Sequence, residues 1–339
     1  MIRFCGFRFA GISVLLLTLV CVCTPGLVMK SQAQASDDIH IIPREHADMA
    51  KPVAASIEES AAGRFRVNVD LVMVPVSVTD TANRFVPGLG KEAFSLFEGG
   101  ERQEIRHFSM EDAPISVGVL LDLSKSMTNK IDDAREALSE FFKTANPEDE
   151  YFVITFADRP QMLADAGQSV GMIQGKLAGA VPGGHTALLD AIYLGVHKLR
   201  KARYSRRALL IISDGGDNHS RYRSSEIRRL VQEADVEIYA IGIFDSIFKT
   251  PEEWAGKRLL SDITEATGGR TVTLSNASRL PEIASEISLE LRNQYVLGYR
   301  PTNPIRDGKW RRINVRLNAA ASSLPMHVHF RRGYAGSPE

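Results

Sequence analysis

Between Val67 and Val76 apolar side chains recur at every second position and then change phase. Val67, Val69, Leu71, Met73 and Pro75 form one set, and Val72, Val74 and Val76 the other. Such alternation predicts a strand, and the change of phase predicts burial on both faces near its end. The stretch "TANRF" reads as a turn, and "AFSLFEGGERQEIRHFSM" as two further strands joined at Gly99–Gly100.

From Ile115 the pattern becomes an alternation of strands and helices. "ISVGVLLD" is a continuous apolar run, the signature of a parallel strand covered on both faces. "NKIDDAREALSEFFKTA" is an amphipathic helix whose apolar stripe is Ile131, Ala134, Leu138 and Phe141–Phe142. The strands "EYFVITFA", "RRALLIISD", "VEIYAIGIF" and "RTVTL" follow, separated by helices over "TALLDAIYLGVHKLRKA", "SSEIRRLVQEA" and "GKRLLSDITEATGG". The last helix is "RLPEIASEISLELRNQ". This order predicts an α/β fold with a doubly wound, mostly parallel sheet. Beyond Asn293 strands return in "YVLGYRP", "WRRINVRLN" and "MHVHFRRGY". The predicted architecture is an α/β domain over 113–293, inserted in or flanked by a β-sandwich-like domain built from 64–112 and 294–335.

The first residues differ in character. Arg3 and Arg8 precede an uncharged apolar run, "GISVLLLTLVCVC", too short for a spanning helix. Ala33 and Ala35 then offer a small-residue cleavage site. We expect a signal peptide over 1–35, an exported protein in the periplasm, the envelope or outside the cell, and a flexible polar leader over 36–63. The competing expectation is an uncleaved N-terminal membrane anchor. Cys5, Cys21 and Cys23 are the only cysteines, and all lie in this segment. The mature chain would then have no disulfide, no thiolate metal site and no membrane span. The charge balance, 41 basic against 41 acidic residues, offers no footprint for nucleic acid.

Candidate chemistry gathers where strands end. The first parallel strand stops at Asp122, followed by Ser124 and Ser126; "PGGHTALLDA" places Thr186 before a helix; "ALLIISD" ends in Asp214, followed by "GGDN". Ligands of open parallel sheets bind at the carboxyl ends of strands. Two carboxylates and three hydroxyls are hard ligands of the kind that suit Mg²⁺ best, with Mn²⁺ or Ca²⁺ as alternatives. Asp190 reads either as a second-layer acceptor or as helix-surface charge, and Asp217 either as a water-mediated contact or as turn chemistry. Gly183 and Gly184 would let their loop approach the ion closely. His185 reads as a solvated loop residue, and His327 and His329 as exposed strand residues.

"DLSKS", "GGHTALLDA" and "LLIISDGGDN" resemble the three motifs of the von Willebrand factor A domain in order, spacing and context. That resemblance implies a metal-ion-dependent adhesion site at Asp122, Ser124, Ser126, Thr186 and Asp214. It also implies a protein partner whose acidic side chain completes the coordination. The flanking segments are similar to an exported bacterial group of A-domain-related proteins. The expected function is cation-dependent protein binding of the adhesion type. A scaffold whose metal only stabilises loops is the alternative, and a metal-dependent hydrolase the weaker one. The chain has no G-x-S-x-G elbow, phosphate loop or dinucleotide fingerprint, and Ser124 stands where a dehalogenase-like phosphatase needs its second aspartate. No enzyme is expected.

Overall fold

In this computed structural model the described residues are 71–339, except 111, 215, 245–250, 304–306, 319–324 and 337–339. The expected signal peptide and leader lie outside them. The first flank supplies strands β1 (Val72–Asp80), β2 (Phe94–Glu98), β3 (Glu101–Gln103) and β4 (Ile105–Ser109). The α/β segment runs β5 (Ser116–Asp122), α1 (Ile131–Lys143), β6 (Glu150–Phe156), β7 (Pro160–Ala164), α2 (Val170–Ala178), α3 (Leu188–Leu199) and β8 (Arg207–Ser213). It continues through α4 (Ser224–Glu233), β9 (Glu237–Ile243), α5 (Pro251–Thr267), β10 (Thr271–Leu274) and α6 (Leu280–Arg292). The last flank supplies β11 (Tyr295–Tyr299), β12 (Trp310–Leu317), β13 (Met326–Phe330) and β14 (Gly333–Ala335).

The central sheet has six strands in the order β10-β9-β8-β5-β6-β7, parallel except for β7. Every residue of β5 is buried, because helices cover both faces. On one face α1 contributes Ile131, Ala134, Leu138 and Phe141 and α6 contributes Ile283, Ile287 and Leu291. On the other, α3, α4 and α5 bring Ile192, Val196, Ile227, Val231 and Ile263. Successive elements leave β5 on one side toward β6 and return on the other toward β8. The crevice at the carboxyl ends of β5 and β8 is therefore a topological switch point, where open α/β sheets hold ligands.

Strands of both flanks share two antiparallel sheets, β13-β1-β11-β4 and β14-β12-β2-β3. Val74, Val76, Val78, Leu96, Tyr295, Leu297, Ile313 and Val315 are among the residues of the core they share. Alternate residues of β1 point the other way, and Ser77 and Thr79 are buried there. That explains the two-sided burial read from its change of phase.

Three local readings differ from the structure. "AFSLFEGGERQEIRHFSM" makes three strands, since the chain breaks at Glu104 and β4 joins the other sheet. "MHVHFRRGY" likewise splits at Arg331–Arg332 into β13 and β14, which lie in different sheets. The edge strand β7 and the helix α2 were not anticipated.

The β strands and the α/β segment meet through a buried polar network. Arg270, ahead of β10, donates from Nε to Oε2 of Glu290 on α6 at 2.9 Å. Tyr239 of β9 donates to Oε1 of the same carboxylate at 3.2 Å. Gln294 donates to the Tyr239 hydroxyl at 3.1 Å and to Ser77 Oγ of β1 at 3.4 Å. The Arg270 guanidinium also reaches the Asn83 carbonyl at 3.1 Å. Gly268 fits the same junction: its φ is +97°, and a Cβ there would stand 2.6 Å from the Arg331 amide nitrogen. No helix among the described residues is long and apolar enough to cross a membrane.

Candidate functional site

The register explains the first feature of the site. Leu121 pairs with Ile212, so Asp122 and Ser213 close the neighbouring strands side by side. Ser213 donates its hydroxyl to Asp122 Oδ2 at 2.6 Å. The amide of Ser124 donates to Asp122 Oδ1 at 2.8 Å, so the carboxylate ends the strand with an Asx turn. A short 3₁₀ turn, Lys125–Met127, follows and buries Met127. Ser124 and Ser126 then bring their hydroxyl oxygens to 3.0 Å of each other. Asp122 and Ser124 are fully buried, whereas Ser126 is exposed.

A second loop is tied to this one by backbone bonds, and a third loop to the second. The amide of Gly183 donates to the Leu123 carbonyl at 2.7 Å, and that of Lys125 to the Gly184 carbonyl at 3.2 Å. Gly184 has φ +80°, and a Cβ on it would stand 2.8 Å from the Asp158 carboxylate. This close approach is to a neighbouring side chain, not the approach to an ion that the sequence suggested, and a Cβ on Gly183 would meet nothing within 4 Å. Thr186 is buried just before α3. Its amide donates to Asn218 Oδ1 at 2.9 Å, and its carbonyl accepts from the amides of Asn218 and His219. The loops carrying Asp122, Thr186 and Asp214 are thus linked in series by hydrogen bonds.

Asp190 and Asp217 bond the third loop and the start of α3, and so have a positioning task. Asp190 is buried and accepts from the Arg221 amide at 2.9 Å, the Tyr222 amide at 3.2 Å and Arg221 Nε at 2.9 Å. It is not helix-surface charge. Asp217 accepts from the Leu189 amide at 3.3 Å and from the Ser220 hydroxyl at 2.5 Å. Together they pin the third loop to the start of α3. His185 is exposed, bonded to Asp158 and stacked on His219 with ring centroids 4.9 Å apart. His327 is exposed, but His329 is only half so and bonds Thr79 Oγ1 at 3.1 Å.

Electrostatics distinguish the two acidic ligand candidates. Burial first, and then the charge of Asp214, push the Asp122 carboxyl up to about 7, against hydrogen bonds from Ser213 and Ser124. Lys130 Nζ lies 3.4 Å from Asp214 Oδ2 and 3.4 Å from the Ile243 carbonyl, so an ammonium partly offsets one carboxylate. Ser213 and Lys130 were missed in the sequence. For Ser213 the signal was available, since it faces Asp122 once β5 and β8 are paired. No three His, Cys, Asp or Glu side chains form a metal-holding group among the described residues. A cation at this edge would therefore rest on hydroxyls as much as on Asp122 and Asp214. Such a donor set, all hard oxygen with repelling carboxylates, fits a hard divalent ion. A hollow of about 320 Å³ opens beside it, lined by Leu123, Phe156, Asp158 and Val181. A larger cavity, about 1040 Å³, lies between the β strands and the amino ends of β8 and β9, lined in part by Arg206, Glu237 and Arg300.

The profile of the von Willebrand factor type A domain matches residues 117–216. That interval takes in β5 from its second residue, all of β8, and the positions Asp122, Ser124, Ser126, Thr186 and Asp214. The family is generally a protein-interaction fold, often metal-dependent. No curated protein matches the sequence. Among solved structures, the chain is similar to a von Willebrand factor type A protein of Catenulispora acidiphila at 12% identity and TM-score 0.47, over 80% of this chain and 76% of that one. It is also similar to the PilB minor pilin of Streptococcus sanguinis at 13% identity and TM-score 0.45, over 55% of this chain. The match spans only 62% of the pilin's length. A conserved hypothetical protein, BatB, of Bacteroides thetaiotaomicron matches at 17% identity and TM-score 0.41, over 52% of this chain and 98% of that one.

Proposed function

We propose, for a chain that carries a von Willebrand factor type A domain, that it is an exported module which binds a protein partner through a divalent cation. The observation that carries this reading is the gathering of Asp122, Ser124 and Ser126 with the loops of Thr186 and Asp214 at the β5–β8 switch point. Asp122, Ser124, Ser126, Thr186 and Asp214 would hold the ion, with Mg²⁺ as the first choice. When bound, such an ion supplies a hard positive centre that attracts an external carboxylate. Five protein oxygens leave one position of an octahedral shell free, which an acidic side chain of the partner fills.

The chain's own residues do the rest. Asp122 and Ser213 fix the β5 loop, Asp190 and Asp217 fix the third loop, and Asn218 fixes Thr186. A preformed rim loses less conformational entropy on association than a mobile one. Export rests on the apolar run and small-residue site within residues 1–35. The test is retention of envelope proteins on the immobilised mature protein in Mg²⁺, with elution by chelator. Proteins that elute with chelator from the parent and are not retained by Asp122→Ala support the reading. A set retained equally in Mg²⁺ and chelator would favour the scaffold alternative.

A further inference from the structure

The edge that carries the candidate cation site has two unlike sides. Its exposed charged side chains are Lys125, Arg159, Arg221 and Arg223 against Asp158 alone, among the described residues of these loops. Asp158 is already engaged by the amide and ring of His185. Counted with Lys130 and with the less exposed carboxylates Asp122, Asp190, Asp214 and Asp217, these loops balance, so their positive side chains form the exposed layer and most of the acids lie beneath. Arg221 stands out within it. Its Nε is fixed on the buried Asp190 at 2.9 Å, yet its side chain remains 82% exposed. Asp190 lies one helical turn beyond Thr186 on α3, so this fixed guanidinium belongs to the rim of the site.

Beside it lies a rigid aromatic wall. Tyr222 stacks on Tyr193 with centroids 4.0 Å apart and planes 16° apart. Tyr193 stacks in turn on His197 at 4.2 Å. The Tyr222 amide is held by Asp190, so ring and guanidinium are positioned by the same carboxylate. Arginine and tyrosine held in place by their own neighbours are the side chains that dominate protein interfaces, since little freedom is lost when a partner lands on them. On the opposite side, Val181 and Met162 are exposed apolar side chains.

We infer that the partner segment is acidic over several residues: one carboxylate goes to the cation site, and a second to Arg221, beside the Tyr222–Tyr193 stack. This rests on the cation-dependent reading and names the chemistry of the partner it selects. Arg221 thereby becomes a specificity determinant that the resemblance to the family does not supply.

The probes are two dye-labelled peptides of equal length, hexaglutamate and a single glutamate flanked by serines, followed by fluorescence anisotropy in Mg²⁺ and in chelator. Hexaglutamate should bind about five-fold more tightly in Mg²⁺, the gain of one further exposed charge contact. Arg221→Gln should bring that ratio close to one, and Arg221→Lys should keep most of it. Arg200→Gln, at the far end of α3, separates a local effect from general charge. Thermal melts in Mg²⁺ and chelator report independently whether each variant is folded and whether the cation still acts. Equal binding of both peptides by the parent, or equal losses in Arg221→Gln and Arg200→Gln, would overturn the inference. Single-glutamate binding that needs Mg²⁺ but gains nothing from more carboxylates would overturn it alone. Binding of neither peptide above the chelator level would take the cation reading down with it.

Discussion

Two buried carboxylates, Asp122 and Glu290, sit at opposite ends of the α/β segment, and their surroundings differ in kind. Glu290 is fully buried at the junction with the β strands and has an arginine and a tyrosine on its two oxygens. Asp122 is equally buried, but its partners are a serine hydroxyl and an amide, and the nearest charge is another carboxylate. The first group is neutralised by its own fold. The second is not, and burial, followed by the Asp214 charge, pushes its carboxyl up to about 7. Glu237 at the junction is raised as far, so what sets Asp122 apart is the second carboxylate, Asp214, acting on it at an edge that also gathers Ser124 and Ser126.

The comparison breaks most visibly at the junction. Arg270→Met removes the guanidinium bonded to Glu290 and leaves that charge buried, which should cost about 3–5 kcal/mol by denaturant titration. The double variant with Glu290→Met should recover much of this, and Mg²⁺ should rescue neither. A loss below about 1 kcal/mol in the single variant would mean that the junction pair is not what closes the interface.

A smaller effect sharpens the other end. Lys130 puts one positive charge against Asp214, and so competes with a cation for the same carboxylate. Lys130→Gln should tighten Mg²⁺ binding about five-fold in a titration calorimeter while slightly lowering metal-free stability. Weaker binding would mean that Lys130 orients Asp214 more than it competes.

The smallest effect concerns pH. Glu237, bonded to Gln294 at the junction, is pushed up to about 7, chiefly by burial. A carboxyl raised in the folded state contributes stability below its ordinary range, near 4.5. That contribution is lost as pH rises toward about 7. Glu237→Gln should therefore flatten the decline in melting temperature between pH 5 and 8 relative to the parent. An unchanged slope would remove Glu237 from the account.

Much of this could be read from the chain, for physical reasons. The strands β5, β8 and β9 are unbroken apolar runs, and the α1 stripe Ile131, Ala134, Leu138 and Phe141 is buried as its spacing required. β7 and α2 could not be read: β7 opens on Pro160, and α2 carries Gly171 and Gly175 and buries only Ile173 and Leu177. The breaks at Glu104 and Arg331–Arg332 come from strands changing sheet, which no local pattern records. At the candidate site, residues at strand ends were legible because topology sends them to one edge. Lys130 and Arg221 were not, since each acts through a carboxylate on a distant element.

The central claim is that the deficit around Asp122 and Asp214 is met by a divalent cation. Thermal melting of the parent and of Asp122→Asn, each in chelator and in 10 mM Mg²⁺, tests it most directly. If Mg²⁺ is present at about a hundred times its dissociation constant, binding adds about 2.7 kcal/mol. That corresponds to a rise of roughly 5–10 °C in the parent. Asp122→Asn should show no such rise, and its metal-free melting temperature should be no lower than the parent's, because the repulsion from Asp214 is gone. A parent melt that is the same with and without Mg²⁺, or an Asp122→Asn melt that still rises, would contradict the account.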